Sequence, residues 1–137
     1  TAAFARRWRR DTPLAKRLSE FKKELAKQLP NPKSCSKGSK RALTVGKLHK
    51  VLEFFREFIR DRSAYYMDSN ILRPLTRAQR LSYAELVGPG QTEWFVSHFW
   101  GTAFEHFCTA LRKHSETICG KRNWTDVHYW VCFCSNN

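Results

Sequence analysis

The chain has 137 residues, 42% hydrophobic and 14% aromatic, with a formal net charge of +13. That length suits one domain, and that composition excludes a disordered chain. No apolar run approaches the roughly 18 residues of a transmembrane helix, and no apolar stretch follows the N-terminal arginines in a secretory pattern.

The charge is unevenly placed. Residues 1–67 carry 18 Lys+Arg against 6 Asp+Glu, and residues 68–137 carry 7 against 6. A basic first half suits contact with nucleic acid, an anionic membrane surface or an acidic protein partner, and equally a solvated basic face. Five Cys is an odd number without the spacing of a disulfide framework, so reduced cysteines are expected. The expected location is intracellular, cytoplasmic or nuclear. Residues 1–10 are Arg-rich and acid-free like the tail of a transit peptide, which keeps organellar targeting open.

Residues 1–11, TAAFARRWRRD, read as a basic arm with two aromatics, Phe4 and Trp8. Arg6, Arg7, Arg9 and Arg10 extend into a basic patch with Lys16, Arg17, Lys22 and Lys23, which is the candidate phosphate-contacting surface. Thr12-Pro13 predicts a helix start. Leu14, Leu18, Phe21 and Leu25 then form one apolar stripe, and Pro30 and Pro32 end a helix over residues 13–29. Residues 30–42, PNPKSCSKGSKRA, read as a polar linker or mobile loop holding an exposed Cys35. Thr44 opens a second helix over residues 44–66, with Val45, Leu48, Leu52, Phe55 and Ile59 on one face. Together the two helices predict an antiparallel basic hairpin.

Residues 68–92 read as a connector. Pro74 predicts extended backbone at Ile71-Leu72, and Thr76-Arg77-Ala78-Gln79 fits a capping box before a short helix to about Leu86. Gly88-Pro89-Gly90 stops that helix. Trp94 to Phe99 reads as a buried strand, Thr102-Ala103-Phe104-Glu105 as another capping box, and Phe104, Phe107, Cys108, Leu111 and Ile118 as one helix face. Val127 to Cys134 reads as a second buried strand. The expected fold class is therefore α/β: a parallel strand–helix–strand unit over residues 93–137, preceded by the basic hairpin. The second strand runs out at the last residues, so the chain is expected to be a fragment of a larger sheet. Open sheet edges then predict self-association.

Ligands in parallel sheets gather at the carboxyl ends of strands. That edge gathers Ser97, His98, Trp100, Gly101 and Thr102 from one strand, with Ser135, Asn136 and Asn137 from the other. These residues, Ser135 apart, are the candidate ligand-binding set. A phosphate-loop pattern is absent. His98 suits either proton transfer or a hydrogen bond holding the turn, and Trp100 suits either base stacking or the core. His106, Cys108, His114, Cys119, His128, Cys132 and Cys134 lack paired zinc-ligand spacing, so no metal site and no catalytic residue is assigned.

Ser97-His98-Phe99-Trp100-Gly101 resembles the S-Y-x-W-G strand end of TIR-like domains of the heterokaryon-incompatibility (HET) branch. Trp130, Val131 and Asn137 resemble that branch's W-I-D-x-x-C-I-N-Q run, with Cys132 at its acidic position. The SHxWG form is also similar to uncharacterised protist proteins of dinoflagellate type. The resemblance covers residues 93–137. It implies a signalling or partner-binding module acting through a protein partner or self-association, and a full-length form able to bind or hydrolyse NAD or a related nucleotide. The alternative is a nucleic-acid-binding module working through residues 1–67.

Overall fold

The computed structural model of the chain describes residues 12–136, so Arg6, Arg7, Arg9, Arg10 and Asn137 lie outside the described residues. Among these the fold is mixed α/β, mostly helical with one three-stranded sheet. No described helix is long and apolar enough to cross a membrane.

Helix α1 (Pro13–Gln28) starts where Thr12 Oγ1 accepts a hydrogen bond from Ala15 N at 3.1 Å. Its stripe buries Phe21 and Leu25, with Leu14 and Leu18 half-buried beside them. Each fully buried large apolar side chain contributes about 1.5–3 kcal/mol. Thr44 caps helix α2 (Val45–Phe54) in the same way, through Lys47 N. The two helices meet where Phe21 packs on Phe54 and Phe55, with ring centroids 4.7 and 5.2 Å away.

The second helix does not run unbroken to residue 66. It loosens at Phe55, resumes as α3 (Arg56–Ile59) and stops at Arg60, whose φ is 49°. Tertiary hydrogen bonds override the apolar period there. Leaving the helix lets Arg62 O accept from Phe104 N at 2.8 Å, and lets Ala64 N donate to Trp100 O at 3.1 Å. Ser63 pairs with Ala103 in an isolated bridge.

Ile71-Leu72, before Pro74, are helical rather than extended. Helix α4 (Ala64–Tyr66) widens into a π-helical turn (Met67–Leu72) and returns to α-helix in α5 (Arg73–Thr76). Pro74 is tolerated because the wider i→i+5 bonding precedes it and its nitrogen has no proton to donate. Thr76 does not cap a helix start: its hydroxyl donates back to Leu72 O at 3.0 Å. A 3₁₀ turn (Arg77–Gln79) ends at left-handed Arg80. The capping box lies further on, where Ser82 and Glu85 satisfy each other's backbone at the start of α6 (Tyr83–Val87). Gly88, with φ 108°, stops that helix as the sequence implies.

The sheet order is β1-β3-β2. Strands β2 (Trp94–Val96) and β3 (His128–Val131) pair in parallel, joined by helix α7 (Phe104–Ile118), as the sequence implies. Strand β1 (Leu43–Thr44), too short to show alternation, pairs antiparallel on the other side of β3. Strand β2 is thus an edge strand, and it is not buried: Trp94 is 44% and Phe95 67% exposed, and Phe99 in the turn after it is 74% exposed. Helix α7 has Ala103 rather than a side-chain cap at its start. Strand β3 ends at Val131, because Ser135 Oγ takes the Val131 N–H at 3.1 Å and closes a helical turn, α8 (Cys132–Ser135). Cys132 and Cys134 therefore do not share a sheet face. One apolar core runs from Phe21 to Cys134 and draws buried residues from α1, α2, the connector, α7, β3 and α8.

The loop over residues 30–42 is tied down. Cys35 N donates to Glu85 Oε2 at 2.6 Å, and Arg41 donates to Cys35 O at 2.8 Å and stands 3.4 Å from the same carboxylate. Both Arg41 and Glu85 are buried. Ala42 bridges Gly90, and Thr92 N and Oγ1 both donate to Ser39 O. A polar sequence is held here by specific partners, which composition alone does not reveal.

Candidate functional site

At the carboxyl ends of β2 and β3 lies a cleft of about 530 Å³. That is within the roughly 300–1,000 Å³ of small-molecule sites. Its lining places Arg73, Arg77 and Arg80 with Asp68, and Trp100, Phe133, Cys132 and Asn136 with Tyr83.

The local folding explains this meeting. The π turn puts Asp68 and Arg73 five residues apart at one turn, where their side chains pair at 2.9 Å. Arg73, Arg77 and Arg80 follow at spacings of four and three, and all three are exposed. Helix α8 turns the end of β3 so that Cys132, Phe133 and Asn136 reach the cleft. Trp100 is held from behind by Phe133, at 5.8 Å, and from the side by Tyr65, at 5.3 Å. Among the described residues, the cleft lining thus carries three guanidinium groups, one carboxylate and a half-buried indole. Guanidinium groups pair with phosphate or carboxylate oxygens, and an indole offers a face for stacking.

Of the residues singled out in the sequence, Trp100 and Asn136 line this cleft, and Ser97, His98, Gly101 and Thr102 do not. Ser97, Gly101 and Thr102 are exposed on the turn after β2. His98 lies behind the cleft wall, its ring packed on Phe107 at 4.7 Å and Phe133 at 5.1 Å. Its Nε2 is buried without a hydrogen-bond partner, as is Trp130 Nε1. Burial pushes the His98 pKa down, against an opposing hydrogen bond at Phe99. The imidazole is therefore favoured neutral, as an aromatic packing element.

Phosphate capture at the start of α7 meets two obstacles: Phe104 N is already bonded to Arg62 O, and Glu105 stands in the first turn. The basic patch divides. Lys16, Lys22 and Lys23 are exposed, whereas Arg17 donates to Phe54 O at 3.0 Å and covers the Phe54 ring at 3.7 Å. Among the described residues, no three His, Cys, Asp or Glu side chains gather to hold a metal ion. Burial raises the Cys108 and Cys134 thiols far above their ordinary range, so neither is a ready thiolate.

The arginines of the cleft were missed by sequence reading. Their signal was present as Arg73, Arg77 and Arg80 at helical spacing, but it becomes visible only once the connector is known to be helical.

No family model matches the sequence, and comparisons with curated proteins and with solved structures find no match.

Proposed function

We propose that the chain is a binding module whose cleft takes a nucleotide: an anionic ligand with a flat ring. The observation that carries this reading is the meeting of Arg73, Arg77 and Arg80 with Trp100 and Asn136 in one cleft at the strand ends. The arginines supply the phosphate contacts, Trp100 the stacking face, and the Asn136 amide a donor and acceptor for a ring edge. The parallel strand–helix–strand order also supports a TIR/HET-like signalling role, in which nucleotide occupancy is coupled to partner binding or self-association. The exposed aromatic edge strand β2 supports the partner side of that role.

Titration of the chain with ADP tests it. Binding is expected, and Arg77→Ala or Trp100→Ala should each weaken it by about tenfold or more without loss of fold. Unchanged affinity in both variants overturns the assignment of the site.

A second reading has its own support in the exposed Lys16, Lys22 and Lys23 of α1, which suit a nucleic-acid backbone. Its test is the salt dependence of duplex DNA or RNA binding. No binding at about 50 mM salt removes it.

A further inference from the structure

Among the described residues, Asp68 is the one carboxylate lining the cleft. Its side chain is 15% exposed and its Oδ2 forms an ion pair with Arg73, 2.9 Å from Nε. A ligand carrying only anionic groups would meet repulsion at this position and would compete with Asp68 for Arg73. A ligand carrying hydroxyl groups as well would meet an acceptor there, because an ionised carboxylate has several lone-pair sites beyond the one Arg73 occupies. The lining therefore divides into three chemistries: cationic at Arg77 and Arg80, acceptor at Asp68, and aromatic at Trp100 and Phe133.

We infer that Asp68 selects the ligand by accepting hydrogen bonds from its sugar hydroxyls, so that the cleft takes a ribonucleotide with free 2′ and 3′ hydroxyls and discriminates against a bare polyphosphate. This rests on the nucleotide reading above and names the part of the ligand that the arginines and the indole leave unread.

The test measures equilibrium binding of ADP, 2′,3′-dideoxy-ADP and inorganic pyrophosphate to the full chain and to Asp68→Asn. On the unaltered chain, dideoxy-ADP should bind about tenfold more weakly than ADP, the effect of losing hydrogen bonds to a charged acceptor. In the variant, whose amide oxygen is an uncharged acceptor, that gap should narrow, and pyrophosphate should bind several-fold more tightly than to the unaltered chain. The dideoxy comparison needs no variant, so it stands even if Asp68→Asn fails to fold. Equal binding of ADP and dideoxy-ADP to the unaltered chain overturns this inference and leaves the nucleotide reading intact. No binding of ADP at all overturns both.

Discussion

The loop over residues 30–42 and the strand β2 exchange the places that their compositions suggest. The loop is rich in Lys and Ser, yet it carries the buried Arg41 and is fastened to the buried Glu85. Strand β2 and the residues after it read as core, yet they form an edge, with Phe95 stacked on Trp130 at 4.7 Å and facing outward. Burial follows partners rather than hydrophobicity. A polar segment can be buried when a carboxylate and a guanidinium satisfy its backbone, and an aromatic segment stays exposed when no element covers it.

The largest effect should come from breaking the loop's anchor. Glu85→Gln removes the carboxylate that faces buried Arg41 and takes the Cys35 and Ser82 hydrogen bonds, and should cost about 3–5 kcal/mol in urea unfolding. Phe95→Ser, on the exposed edge, should cost less than about 1 kcal/mol, the scale of one lost ring pair. A larger loss at Phe95 than at Glu85 would place the stabilising contacts on the exposed edge and not in the buried loop anchor.

Acid titration sharpens it. Burial alone would raise the Glu85 carboxyl, but hydrogen bonds from Ser82 N, Cys35 N, the Ser82 hydroxyl and Ser34 outweigh it and hold the group below its ordinary value of 4.5. Glu93 is depressed in the same direction: burial raises it, and hydrogen bonds from His128 and Arg122 outweigh that. As pH falls, the unfolded chain takes up these protons first. The stabilisation is therefore complete above about 4.5 and is lost as pH falls through the folded values. Glu85→Gln should flatten the acid limb of stability below the ordinary carboxyl value of 4.5, measured by urea unfolding at several pH values. An acid limb as steep as that of the unaltered chain would remove Glu85 as its source.

The smallest effect concerns His98. Its folded pKa lies below the ordinary 6.5, so its contribution is complete above 6.5 and falls away as pH drops through the folded value. His98→Phe should keep the aromatic packing and remove that slope, losing at pH 8 only the hydrogen bond at Phe99, at most about 1 kcal/mol. A larger loss at pH 8 would contradict the reading of His98 as an aromatic packing element.

What the sequence made legible was local and periodic. The stripe Leu14, Leu18, Phe21 and Leu25 and the caps at Thr12 and Thr44 located α1 and the start of α2. Phe104, Phe107, Cys108 and Leu111 located the buried face of α7, and the short aromatic runs around Trp94 and Tyr129 located the parallel pair. What stayed hidden depends on distant partners. Strand β1 is only Leu43 and Thr44, the end of α3 is set by what Arg62 and Ser63 bond to in the turn before α7, and the helical connector depends on a π turn ahead of Pro74. The candidate site divides the same way. Trp100 and Asn136 were legible as polar or aromatic residues following strands, while Asp68, Arg73, Arg77 and Arg80 reach the cleft through that connector.

The most direct measurement is a calorimetric titration of ADP into the unaltered chain and into Arg77→Ala at one ionic strength. Saturable one-site binding to the unaltered chain is expected, with a loss of about tenfold or more in the variant and both proteins unfolding at similar urea concentrations. No saturable binding, or equal affinity in the two, would contradict it.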